Sequence, residues 1–210
     1  MSPRALLALA IGSLLAACAS GPPAPPWQTE AKGAMERAAV AHLNGENKAY
    51  EAELARARAA VSASGRTELA ARVELMDCAL RAASLEFGPC TRFEALRTDA
   101  AAPERAYADY LAGRPLTGEA IALLPPAQRA AVPDIEDPLS RLIAVAVLFQ
   151  AGQASPAIIE LAVDTASTQG WRRPLLAWLK VQALRAEKAG DAAALQALQR
   201  RIALVEGAAR

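Results

Sequence analysis

Apolar positions recur at helical spacing along most of this chain, and no run alternates with the period of two that a half-buried strand requires. From about Thr29 onward alanine and leucine dominate, and both favour helix. Helices are predicted over about 29–43, 46–63 and 67–85, separated by Asn44-Gly45 and Ser64-Gly65. A short helix is expected after Cys90, and Pro103 opens another that runs to Leu111 and stops at Gly113. Between Arg114 and Glu136 the chain is interrupted by Pro115, Pro125, Pro126 and Pro133, which leaves room only for short helical pieces.

Punctuation is clearer in the second half. Asp137-Pro138 and Ser155-Pro156 each place a capping side chain before a first-turn proline, Pro174 opens the next helix, and Asp191 caps the last. The stops are Gly152, Gly170 and Gly190. In the last helix Leu195, Leu198, Ile202 and Val205 share one side while Gln196 and Arg200 lie opposite, the pattern of a surface helix with one buried stripe. The stretch 142–149 is apolar all round, so it must be covered on several sides. It is too short to cross a bilayer and is expected at the centre of the carboxy-terminal half. The predicted class is all-α, built from antiparallel helical hairpins.

Gly152-Gln153-Ala154-Ser155-Pro156-Ala157-Ile158 and Gly190-Asp191-Ala192-Ala193-Ala194-Leu195-Gln196 occupy equivalent points of two helix-turn-helix units. A glycine at the turn and a small residue early in the second helix resemble the tetratricopeptide repeat, over roughly 137–206 and more weakly near Gly45. The usual tryptophan-leucine-glycine-tyrosine progression is absent, and Pro156 sits inside the turn motif. Two architectures therefore stand side by side, a tetratricopeptide-like solenoid and an irregular helical bundle. The resemblance carries no binding residues over.

The amino terminus reads differently. Arg4 is followed by an apolar run from Ala5 to Leu15 and then by the small residues Ala16 and Ala17, the layout of a secretory signal peptide. Leu15-Ala16-Ala17-Cys18 resembles the lipobox of bacterial lipoproteins. That resemblance implies removal of residues 1–17 and attachment of lipid to the Cys18 sulfur, the one covalent group expected; no other cofactor is predicted. Residues 18–28 then form a lipidated, proline-rich stalk, and 29–210 a single helical domain. It also implies a membrane-anchored protein facing the periplasm. Ala19, where an aspartate would favour the inner membrane, leans towards the outer one.

Charge narrows the partners. The chain has 23 Lys+Arg and 22 Asp+Glu, and Arg4 is the only charged residue before Cys18, so the remainder balances at 22 against 22. A neutral body has no general electrostatic reason to bind nucleic acid. An aromatic fraction of 4% argues against a sugar-stacking surface. One local excess stands out: residues 171–210 hold eight Lys/Arg against three Asp/Glu. Arg172, Arg173, Arg200 and Arg201 could form a basic edge for an anionic partner if the last two helices pack antiparallel, although a solvated helix face explains them as well.

With Cys18 assigned to lipid, Cys78 and Cys90 remain as an even pair, which in an oxidising compartment reads as a disulfide. Gly88-Pro89 lets the chain double back between them, and closing so small a loop is worth about 3 kcal/mol on the chain-entropy model. A redox-active or metal-binding pair would ask for C-x-x-C spacing or nearby histidines, which are absent.

Catalytic groups are scarce. His42, the only histidine, is expected at the surface or at a helix end, and no Ser-His-Asp or Cys-His set can be assembled around it. The ligands for a zinc site are missing. No glutamate is followed by serine, as all-α lytic transglycosylases would place them, and Glu136-Asp137 reads as the acidic start of a helix rather than a carboxylate pair. The expected function is a non-catalytic envelope lipoprotein, a scaffold or assembly factor that engages a protein partner and meets the membrane through its lipid. The alternatives are an enzyme acting on peptidoglycan and a non-catalytic binder of lipid or wall polymer.

Overall fold

The computed structural model describes residues 24–207. The expected signal peptide, Cys18 and most of the stalk lie outside the described residues. Within them the protein is all-α, with no strand. Three long helices come first: α1 (Pro26–Asn44), α2 (Asn47–Ser62) and α3 (Thr67–Ala83). A stretch of short ones follows: α4 (Thr91–Ala95), α5 (Ala102–Leu111), α6 (Gly118–Ala122), α7 (Pro126–Arg129) and a 3-10 turn (Val132–Asp134). Four helices complete the chain: α8 (Pro138–Gln150), α9 (Pro156–Gln169), α10 (Arg172–Lys188) and α11 (Ala192–Gly207).

The punctuation acts as expected. Asp137 accepts from the Ser140 N–H at 2.7 Å, Ser155 from the Ile158 N–H at 3.3 Å and Asp191 from the Ala194 N–H at 2.9 Å. Helix α1 begins at Pro26, inside the segment assigned to the stalk. A proline is favoured at the first helical position because its missing N–H has no intrahelical partner there, so the proline run ends by starting a helix.

The end of α3 is a left-handed turn made without glycine. After α3 the Glu86 N–H bonds to the Arg81 carbonyl and the Leu85 N–H to the Ala82 carbonyl, closing a Schellman turn. Leu85 takes the left-handed position at φ 60°, and is the one non-glycine residue to do so among the described residues. Its side chain packs on the core, which offsets the backbone strain.

Two cores hold the body together. The smaller lies between α1, α2 and α3, where Ala34 and Ala57 are fully buried beside Leu54, Val61 and Val73. Alanine there lets the α1–α2 hairpin close tightly. The larger gathers α3, α8, α9 and α10 around Leu142, Val145, Ile159, Val163, Trp178 and Leu179. Helix α8 packs on both α3 and α9, the central place its apolar circumference demanded. Helix α11 packs on α10 through Leu198, Ile202 and Val205. Trp178 has no exposed surface and donates from Nε1 to the Ala83 carbonyl at 3.3 Å.

Sequence-distant helices also meet, α3 against α8 and α1 against α10. A nearest-neighbour solenoid does not require such contacts. They make the whole a helical bundle in which hairpins α8–α9 and α10–α11 are local units.

Candidate functional site

Cys78 lies in the last turns of α3 and Cys90 just before α4, and their sulfurs sit at disulfide distance with Cα atoms 5.9 Å apart. The chain turns at Ser84-Leu85, the left-handed end of α3, and reaches Cys90 without the turn expected at Gly88-Pro89. The chain between them is anchored on three sides. The Ala83 carbonyl receives Trp178, the Ser84 hydroxyl lies 3.3 Å from His42 Nε2, and Glu86 accepts from Arg173 Nη1 at 2.8 Å. Phe87 stacks on Phe149 with centroids 6.5 Å apart.

His42 corrects the expectation of a surface position. It does close a helix, but it is 1% exposed, edge-on to Tyr50, and its Nδ1 is buried without a hydrogen-bond partner. Burial, helped by the Arg173 guanidinium, lowers its pKa from 6.5 to about 4, against weaker opposition from Glu86 and Asp77. The neutral imidazole fills space beside Ser84, and no carboxylate or thiol hydrogen-bonds it. The Cβ stripe of α1 that carries His42 also carries Ala34, Ala38 and Ala41, so helical register was the signal for its burial.

Next to it lies a polar network. Arg58 grips Glu74 with both Nε and Nη2, at 2.7 and 2.6 Å, Tyr50 donates to Asp77, and Arg81 Nε lies 3.7 Å from Asp77. Burial and the Asp77 bond push the Tyr50 phenol well above its ordinary range. Arg58, Glu74, Tyr50 and Asp77 are each hydrogen-bonded inside the fold, which is the behaviour of a structural network.

The four arginines do not make one edge. Arg173 faces inward: besides Glu86 it donates from Nε to the His42 carbonyl at 2.7 Å and also reaches the Asn47 side chain. Arg172 crosses the α1–α2 turn so closely that a Cβ on Gly45 would stand 3.2 Å from its Nη2. Gly45, at φ 78°, is glycine on both counts. Arg201 lines a different surface, a slot between α9, α10 and α11, and Arg200 is exposed. Asp137 is committed to its cap.

An open apolar groove of about 620 Å³ runs between α3, α5 and α8 and is closed at one end by the turn at 123–126. Leu75 and Met76 of α3, Tyr107 of α5 and Leu139 and Ile143 of α8 line it together with Leu124. Leu123 in its lining is 41% exposed and Ile121, two residues earlier in α6, is 44% exposed, more than large aliphatic side chains usually are. Burial raises the Tyr107 phenol well above its usual range. At the rim Glu104 Oε1 accepts from Arg72 Nε at 2.6 Å, while Glu104 Oε2 is buried without a hydrogen-bond partner. Sequence reasoning did not find this groove. Its walls come from three separated helices, and the proline-broken segment that closes it has no periodicity to read.

Among the described residues, no group of three or more His, Cys, Asp and Glu side chains is placed to hold a metal ion, and no helix is long and apolar enough to cross a membrane. No family model, curated protein or solved structure matches the chain.

Proposed function

We propose that this chain is an envelope lipoprotein, tethered through Cys18, whose helical body binds a protein partner without catalysis. The single observation that supports the binding role is the apolar groove between α3, α5 and α8. A groove of this kind, with aliphatic and tyrosine walls and a polar rim, suits a few apolar anchor side chains of a partner segment. Such a surface fits a scaffold or assembly factor facing the periplasm, with the outer membrane as the expected anchor site.

The test is a photo-crosslinking residue placed at Leu123 in living cells, followed by mass spectrometry. A reproducible protein adduct that is absent when the same probe sits at the exposed Leu204 supports the reading. Equal, nonspecific labelling at both positions overturns it.

A further inference from the structure

The Cys78–Cys90 pair lacks the C-x-x-C spacing that marks exchange-active cysteines in sequence, but the fold supplies a different feature that favours a thiolate, a positive group beside one sulfur. Arg81 Nη2 approaches Cys78 Sγ at 3.5 Å. Its Nε is buried without a hydrogen bond, with Asp77 at 3.7 Å as its carboxylate neighbour. The other acids in reach are engaged elsewhere: Glu74 with Arg58, Glu86 with Arg173, Glu94 with Arg97. The two sulfurs are also unequal in access. Cys78 is 5% exposed and Cys90 is half-buried, and clefts of about 340 and 240 Å³ open on either side of the bond.

We infer that this disulfide is a site of thiol–disulfide exchange, attacked at Cys90 by a dithiol reductant, with Cys78 leaving as a thiolate held by Arg81. The incoming thiolate forms a bond to Cys90 Sγ, the Sγ–Sγ bond breaks, and its electron pair goes to Cys78. The second thiol of the reductant then attacks its own sulfur in the mixed disulfide and releases Cys90. The reductant ends as a disulfide, and the two protons it gives up end on the two protein thiols. A leaving thiolate stabilised by a cation leaves faster, which sets the direction of attack.

Reduction has a structural consequence because residues 83–87 lie inside the ring that the bond closes. They hold Trp178 and Arg173 of α10, His42 of α1 and Phe149 of α8. Opening the ring frees the segment on which those three helices converge, including the left-handed Leu85.

The experiment uses the oxidised full chain. Brief exposure to glutathione, acid quenching and peptide mapping locate the first adduct. Glutathione is expected on Cys90 in at least about tenfold excess over Cys78, and an adduct mainly on Cys78 overturns the assignment. In Arg81→Met, reduction by dithiothreitol should slow by about tenfold, with Arg81→Lys recovering part of the rate. An unchanged rate in a folded Arg81→Met protein removes the role of Arg81. Hydrogen exchange across 83–87 and at the α1 and α10 ends should accelerate after reduction of the wild-type chain, and unaltered protection there disproves the structural consequence.

Discussion

Arg173 donates from Nε to the main-chain carbonyl of His42, 131 residues earlier, at 2.7 Å. The bond falls where α1 ends and α10 begins, so a carbonyl in the last turn of one helix, which already accepts from the Gly45 N–H, takes a second donor from the first turn of another. With Glu86 on the same guanidinium, it ties the first hairpin to the carboxy-terminal half.

Removing that guanidinium should therefore loosen the joint between the halves. Arg173→Met is expected to cost about 2 kcal/mol, from lost charged hydrogen bonds to Glu86, Asn47 and the His42 carbonyl. Urea unfolding followed by circular dichroism measures it, and Arg173→Lys should recover less than half because one ammonium cannot span three acceptors.

Acid sensitivity should follow His42. Its folded pKa of about 4 lies below the unfolded 6.5, so the unfolded chain takes up the proton first as pH falls. The contribution is complete above about pH 6.5, declines towards pH 4 and is gone below, amounting to about 3 kcal/mol. His42→Gln should flatten the stability curve over that window relative to wild type. Arg173→Met should raise the His42 pKa and narrow the window, since the Arg173 charge helps hold it down. Unfolding free energies at pH 7, 5.5 and 4 test both.

On the groove, Leu123→Glu puts a charge where an apolar anchor would rest. Stability should change by less than about 0.5 kcal/mol, because the side chain is 41% exposed. Capture of the partner from a neighbouring crosslinker at Ile121 should fall at least about tenfold. Retained capture by a folded Leu123→Glu protein would argue that the binding surface lies elsewhere.

Cys18→Ser should leave the chain without lipid and unprocessed, held at membranes only by the retained apolar run Ala5 to Leu15, since the Cys18 sulfur is the proposed attachment point. Fractionation and mass measurement of the intact chain read both effects.

The sequence by itself determined the helical class, nearly every long helix and the pairing of Cys78 with Cys90. Those features rest on local chemistry: helical periodicity, Asp and Ser caps, prolines in first turns, glycine stops, and two cysteines only 12 positions apart. The proposed lipid anchor rests on equally local residues. Only the tertiary structure decided the bundle, the burial of His42, the inward commitment of Arg173 and the groove between α3, α5 and α8. Each depends on which helices separated along the chain come to lie side by side. Alanine-rich faces specify that weakly, because small side chains fit many partners. The same holds for Arg81 beside Cys78, where helix register places the cation one turn from the sulfur and the path of 84–90 decides which sulfur stays open.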